Sequence, residues 1–534
     1  MTAPAIRTDL DLRLRYCQGA GIYRIVPWGV ARPVSLADLR TVLATARDRG
    51  IPVTPRGAGS AMPGNNVTSG LVLDLTAFEP ARWVIDPAAS RATLSPSVSL
   101  GRLNLLAASH GLILPVDPSS GAWATLGGMV STNAAGPHTL RTGSIRDWVH
   151  RLTLETGDGP LDLVRGTGAD PHHPVMARWH NDAEPVIRRH AAAIRARFPT
   201  VRKNSAGYGI NYYSETGDVL DVVVGSEGTL GVVTDIEVCL AAVARERASL
   251  RVAVRARADL PRIIEVIRGW NPATLEFLDQ SFLRFVDAAS LAPGDSVLLR
   301  RAGGLLLVDF EGDDAGDVAE RAARAQAAVA AAVLDAHVAT DPREIDAVWA
   351  LRHAASPILA GLSDGRRSLQ VIEDGCVPVN RLAEYLEAID RIAAEEKVDV
   401  VMFGHAGDGH VHVNLLPDVS RRGWTDRVRR IFDAVSDAVI AMGGTPSGEH
   451  GVGRLRAGLL EDLYGPEVIE CFRAIKAAFD PEGRFNPGVI LGGGDPISQL
   501  KVGADAVAIP GEVDEYLTAI ESGARWGESR WLSH

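Results

Sequence analysis

Three histidines fall within one short stretch, FGHAGDGHVHVNLLPD at Phe403–Asp418, and their spacing is the strongest chemical signal in the chain. An apolar run, VDVVMF, ends at a turn carrying Gly404, Gly407 and Gly409, after which HVHVN resumes in extended form. Side chains alternate along a strand, so His410, His412 and Asn414 share one face and Val411 and Val413 pack behind it. His405, at the mouth of the turn, can then approach His412. Neutral imidazoles gathered this way suit zinc or a similar divalent ion; a hydrogen-bonded polar hairpin without metal is the plainer alternative. A second stretch, SGEHGVG at Ser447–Gly453, offers a carboxylate, Glu449, and an imidazole, His450, on a glycine-hinged loop. Arg352, in VWALRHAAS, carries a planar two-donor fork that matches a carboxylate. Ser356, four residues on, lies on the same helical face. Taken alone, an exposed helix arginine is an equal reading.

Glycine loops form the other chemical group. RGAGS at Arg56–Ser60 lacks the G-x-G-x-x-G spacing of a Rossmann fingerprint, yet it can present several backbone N–H groups to a phosphate. TLGG at Thr125–Gly128 precedes a helix start, a second natural anion site. GSEGTLGVV at Gly225–Val233 places small residues and one carboxylate beside a strand. One such loop is a tight turn; three in one region call for a common ligand.

The elements that must position these residues can be read from patterning. SLADLRTVLATARDRG at Ser35–Gly50 reads as a helix capped by Ser35 and stopped by Gly50. IPVTP and LVLDL read as strands flanking the first glycine loop, and a further helix runs from Ser99 to His110–Gly111. Val149–Glu155 and Val219–Glu237 have the β-branched enrichment of strands. Beyond residue 243 the runs Ser249–Val254, Leu305–Phe310 and Val398–Phe403 alternate with amphipathic helices at Asp317–Leu334 and Val379–Glu395, which predicts a separate α+β domain around an antiparallel sheet. A helix at Glu467–Phe479 and the Pro-bounded DPEGRFNPG follow. The last 40 or so residues are acidic and contain Trp526 and Trp531, with no recognisable chemistry.

Composition excludes several classes. At 534 residues the chain needs two or three domains. Its 55 basic and 66 acidic residues give a net charge of −11, which repels nucleic acid. Cys17, Cys239, Cys376 and Cys471 are too dispersed for an iron–sulfur or disulfide framework. No apolar run reaches the ~18 residues of a spanning helix, and the first residues lack the apolar stretch of a signal peptide. The expected location is cytoplasmic, with or without peripheral attachment to a membrane, as a monomer or homodimer.

The motifs PVTPRGAGS, VDPSS…ATLGGMVSTNAAG…TGSIRDWV and VVVGSEGTLGVV, in this order, resemble the FAD-binding (PCMH-type) domain of the vanillyl-alcohol-oxidase superfamily. More closely, the chain from about Pro27 to Gly488 is similar to the D-lactate and glycolate dehydrogenase branch. The resemblance implies an α+β fold: a two-part FAD-binding domain at residues 27–242 after an N-terminal segment 1–26, then a substrate or cap domain at 243–444. A segment at 445–492 closes back on the flavin, ahead of an acidic tail at 493–534. It implies that Arg56, Gly57, Ala58, Gly59, Ser60, Pro118, Thr125, Gly127, Gly128, Asn133, Gly136, Gly143, Glu227 and Val233 hold FAD, with Asn486 orienting the ring. The first glycine loop has no histidine where some relatives tether the flavin, so FAD is expected to be non-covalent. His405, His412 and Glu449 match the family's metal ligands, Asn414 and His450 its substrate contacts, and Arg352 the arginine that grips the substrate carboxylate. His410 stands where relatives commonly have Asn, and could add a ligand, a base or bulk. Glu373 and Asp374 match the ED-x-x-VP signature of lactate-type members. Ile372 aligns with a lysine found in relatives that oxidise a dicarboxylic hydroxy acid, which counts against 2-hydroxyglutarate.

The implied reaction is oxidation of a D-2-hydroxy acid resembling D-lactate to the 2-oxo acid. Arg352 and Ser356 would fix the substrate, a divalent metal would polarise it, and His450 would take the hydroxyl proton while FAD accepts hydride. A quinone, a cytochrome or an electron-transfer flavoprotein would take the electrons onward. The alternatives are an alkylglycerone-phosphate synthase-like transferase and a non-catalytic flavoprotein subunit.

Overall fold

Apolar patterning resolves into three larger sheets, which carry the glycine loops and the histidine hairpin, and a two-stranded pairing of Leu112–Ile113 with Ala241–Ala242. The computed structural model describes residues 6–78, 83–285, 295–353, 365–523 and 525–531; Ser356 lies outside them. The Leu36–Asp48 helix forms as patterned: Ser35 accepts a hydrogen bond from the Asp38 amide, and Leu39, Val42 and Ala46 are buried. Those side chains pack on a three-stranded parallel sheet in which Leu71–Asp74 lies between Gly29–Ala31 and Val53–Arg56, with Val53 opposite Leu71. The first glycine loop leaves the end of Val53–Arg56.

A second sheet of five antiparallel strands runs in the order Val84–Asp86, Arg91–Leu94, Val232–Cys239, Val149–Thr156, Gly159–Val164. Its core is completed by Val468, Phe472, Ile475 and Phe479 of the Leu460–Phe479 helix, so the C-terminal segment returns to the first domain. The cap is a seven-stranded antiparallel sheet ordered Val333–Ala339, Glu246–Val254, Gly304–Gly312, Thr274–Asp279, Asp399–Gly404, His410–Leu416, Gly375–Cys376. Leu260–Arg268, Ala315–Val329, Leu382–Glu395 and Trp424–Ala441 supply the helical side of one apolar core on this sheet. The architecture is α+β with antiparallel sheets, as expected.

Three segments differ from their patterning. Val219–Glu237 is not one strand: Leu220–Val223 is a helical turn, and Gly225, Glu227 and Gly228 take positive φ before the strand starts at Val232. β-branched residues favour a strand reading, and here Val222 and Val223 are buried in the turn itself. The helix expected over Asp317–Leu334 ends at Val329, and Val333–Ala339 becomes a strand with Val338 opposite Leu250. The acidic tail is structured: Gly511–Ser522 is a helix whose Val513 and Leu517 pack against Leu14 and Cys17. Among the described residues no helix is long and apolar enough to cross a membrane.

His138 bridges the two domains. Its Nδ1 lies 2.5 Å from Asp117 and its Nε2 3.0 Å from Glu311 of the cap sheet. Burial alone would favour the neutral ring, but the two carboxylates outweigh it and raise His138 from an ordinary 6.5 to about 10. A raised histidine contributes stability fully below its unfolded value and loses it as pH climbs through the folded one. The thermal midpoint of His138→Gln is therefore expected to lie furthest below the parent at pH values under 6.5 and to converge with it as pH rises through 10; a gap that does not change with pH would show that no charge is involved.

Candidate active site

A cavity of about 510 Å³ lies between the first domain and the cap, within the range of small-molecule and cofactor sites. Arg56–Ser60, Pro118, Thr125, Gly127, Gly128, Glu227 and Val233 line it from one side; Arg352, His412, Asn414, Glu449 and His450 line it from the other. The backbone amides of Ala58, Gly59 and Ser60 have no acceptor among the described residues, which fits them to an anionic group. Gly57 packs so tightly that a Cβ there would sit 2.2 Å from Thr125 Oγ1. Thr125 itself caps Leu126–Thr132, accepting from the Gly128 amide at 3.3 Å.

Several of the expected cofactor residues brace this loop set from behind. The Arg56 guanidinium donates to the carbonyls of Tyr16, Gln18 and Asn66, and burial lowers its pKa to about 9. Glu227 accepts from the amides of Val452 and Gly453 and from Asn65, tying the third glycine loop to SGEHGVG; its burial pushes it up to about 7. Asn133, Gly136, Gly143 and Asn486 do not line the cavity. Asn133 ends a helix in the left-handed region and accepts from Ser144, and a Cβ on Gly136 would lie 2.3 Å from the Asp117 carbonyl. Gly143 is pressed against Asp147, and Asn486 donates to the carbonyls of Asn65 and Glu227.

The histidine hairpin closes as its alternation requires. Asp399–Gly404 pairs with His410–Leu416, Phe403 opposite His412, and the turn brings His405 beside His412. His405 Nε2 lies 3.3 Å from His412 Nε2 and 3.3 Å from Glu449 Oε1, and His412 Nε2 is 3.4 Å from the same oxygen. Donors around a tetrahedral ion with bonds of about 2.0–2.1 Å are about 3.4 Å apart, so these three atoms fit one divalent ion. Each ring is oriented through its other nitrogen: His405 Nδ1 by Glu276 at 2.5 Å and His412 Nδ1 by the Glu373 carbonyl at 3.0 Å.

The surrounding charges are buried and paired. Lys203 Nζ lies 2.6 Å from Glu449 Oε2, so Oε1 is the oxygen turned to the histidines. Burial would raise Glu449, but the Lys203 ammonium and His405 hold it well below the usual carboxylate range. Glu276 bonds both His405 and Arg352 Nε (3.0 Å); against the desolvating effect of burial, these cations lower it to about 2. Glu373 lies 2.5 Å from His450 Nδ1 and also meets Arg456. Burial opposes charge on His450, yet Glu373 and Asp374 outweigh it and raise the ring to about 10. In the charge set of the chain alone, His450 therefore carries its proton; a divalent cation beside Glu449 would favour the neutral form.

Arg352 spends only Nε on Glu276 and lies 4.8 Å from the Phe403 ring, leaving both Nη groups without an acceptor among the described residues. Ser368 donates to Asn414 Oδ1 at 3.0 Å, which frees the Asn414 amide N–H groups. Ile372 does not face the cavity; it packs in the cap core, and Ser368 and Gln370 are the cavity-facing residues of that segment. Glu373, the residue after Ile372, faces the cavity again. Glu276, Lys203, Arg456 and the cavity-lining tail residue Trp526 carried no motif in the sequence. Glu276 had one signal: a lone carboxylate inside the apolar strand TLEFL, where a buried charge demands a partner.

Comparison with known proteins agrees with this geometry. Residues 27–162 match the FAD binding domain family and residues 248–490 the C-terminal domain of FAD linked oxidases. The chain is 30% identical over 476 residues to glycolate oxidase subunit GlcD of Bacillus subtilis, covering 87% of this chain and 89% of that one. It is 29% identical over 463 residues to a D-lactate dehydrogenase of Archaeoglobus fulgidus, covering 86% and 91%. Among solved structures, p-cresol methylhydroxylase with substrate bound aligns with TM-score 0.62 at 12% identity over 91% of this chain and 94% of that one. An alkyldihydroxyacetonephosphate synthase aligns with TM-score 0.61 at 16% identity over 90% and 83%. The last two share the fold. The chain belongs to the FAD-linked oxidases of the vanillyl-alcohol-oxidase superfamily and is an oxidoreductase of the type that includes these relatives.

The contact between Gly57 and Thr125 makes a direct test of the loop geometry. Gly57→Ala is expected to destabilise the first domain by the ~1–3 kcal/mol of an overpacked site. Thr125→Ala in the same chain removes the obstructing hydroxyl and should recover part of the loss. Unfolding midpoints of the two single variants and the double variant measure this, and additive losses would show the contact is not as close as described.

Proposed function

We propose that the chain oxidises a small D-2-hydroxy acid, of the D-lactate or glycolate kind, to its 2-oxo acid. The observation that carries this is the meeting in one cavity of a free guanidinium fork, a two-histidine-one-carboxylate cluster and a glycine loop with unpaired amides. Arg352 binds the substrate carboxylate through its Nη pair, held flat by Glu276 and Phe403. Asn414, fixed by Ser368, donates to the substrate oxygens. His450, aligned by Glu373 at Nδ1, accepts the hydroxyl proton at Nε2. His405, His412 and Glu449 would hold a divalent ion, zinc being suited to such donors, which would supply Lewis acidity toward the substrate hydroxyl. Arg56–Ser60 and Thr125–Gly128 would hold FAD without a covalent link, and the flavin would supply the acceptor for the α-hydrogen as hydride.

Among the described residues, Arg352 is the only guanidinium or ammonium group that the cap contributes to the cavity wall. This favours a monocarboxylate over a dicarboxylate. Glu521 and Trp526 of the tail also border the cavity.

Under anaerobic conditions a D-2-hydroxy acid should bleach the bound flavin stoichiometrically. No bleaching by any hydroxy acid would instead favour a transferase or a silent subunit. Arg352→Met should raise KM for carboxylate substrates about 10- to 100-fold, the worth of a charge-assisted hydrogen-bonded pair; an unchanged KM would remove Arg352 from the anchor role. His405→Ala and Glu449→Ala should each lose the metal by elemental analysis, with most turnover, while the yellow flavin stays bound.

A further inference from the structure

One imidazole of the hairpin has no part in the reaction so far. His410 is fully buried, and its Nε2 lies 2.9 Å from Asp374 Oδ1. Asp374 is itself fixed as an anion by the amides of Glu449 and His450, both at 3.0 Å, and by Arg456 at 3.5 Å. A carboxylate can only accept, so it places the ring proton on Nε2 and leaves a lone pair on Nδ1. That Nδ1 is buried without any partner among the described residues, and Glu449 Oε2, at 3.8 Å, is beyond hydrogen-bond reach. A buried, unpaired acceptor costs about 1–3 kcal/mol. The ring is also wedged in place: a Cβ on Gly448 would lie 2.7 Å from His410 Cδ2 and 2.8 Å from Nε2.

His410 thus repeats the arrangement of His405 and His412. In all three, one nitrogen is anchored outward on a carboxylate or carbonyl, and the other faces the same small volume. Ligand atoms of His405, His410, His412 and Glu449 all lie within 4.8 Å of one another. Outward anchoring by a carboxylate is how proteins hold a metal-binding imidazole.

We propose that His410 Nδ1 is a fourth protein ligand, giving a three-imidazole, one-carboxylate set for a zinc-like divalent ion. This rests on the metal reading of the Proposed function and extends it. A four-donor protein set would retain its ion more firmly than a three-donor set.

The test uses the zinc-loaded holoenzyme. Zinc X-ray absorption fine structure should count three imidazoles in the unaltered protein and two in His410→Asn. The variant should also surrender zinc to a chelator at least about tenfold faster. Two imidazoles in the unaltered protein, with zinc bound, would overturn the proposal and leave the three-ligand site standing. A protein that binds no zinc at saturating concentration would overturn the metal reading and this inference together. The imidazole count in the unaltered protein needs no variant to fold.

Discussion

A fully buried ammonium and a nearly buried carboxylate, Lys203 and Glu449, lie 2.6 Å apart, and the geometry of the candidate site depends on their pairing. Neither charge could stay there alone, since an unpaired ion in such surroundings is strongly destabilising. The pair joins a loop of the first domain to the Ser447–Gly453 loop, fixing where the C-terminal segment meets the cavity. It also occupies one oxygen of Glu449 and so decides which oxygen the histidines see. Asp408 lies 3.8 Å from the same ammonium and 3.3 Å from Arg202 Nε, so a second acidic group shares the local positive charge.

The same logic of buried pairing extends outward. Glu276 links His405 to Arg352, the histidine cluster to the guanidinium fork. Glu373 and Asp374 link His450, His410 and Arg456. Each acidic residue serves two cations, so the orientation of one ring constrains the next. Such shared pairing keeps a polar site rigid inside a low-dielectric interior. The glycine loops obey a different constraint. There the requirement is close approach, and Gly57 and Gly136 are small because Thr125 and Asp117 leave no room for a side chain.

The fold was largely legible in the sequence where patterning was strong and local. The Ser35 cap, the hairpin alternation of His410 to Asn414 and the amphipathic cap helices all follow from residue spacing. Legibility failed where burial and backbone conformation compete. Val219–Val224 has strand composition but turns as a helix, and the Ala-rich end of the Ala315–Val329 helix gives way to a strand that only its pairing with Leu250 explains. The tail carried too little apolar content to predict a docked helix, yet Val513 and Leu517 suffice against Leu14 and Cys17.

For the site, the sequence by itself determined which residue types were at hand: imidazoles at a spacing of two, a glycine-hinged carboxylate, an arginine fork and three flexible loops. These are local facts of spacing and chemistry. Tertiary structure decided which of them face one another, because partners such as Glu276, Lys203 and Arg456 lie 129, 246 and 83 residues from the groups they fix. Pairing over such separations is set by buried charge seeking its counter-charge once the chain has folded, and no local pattern encodes it. The role of His410 is the clearest case: as a letter it was an extra histidine, and only its orphaned inward nitrogen gives it a place in the site.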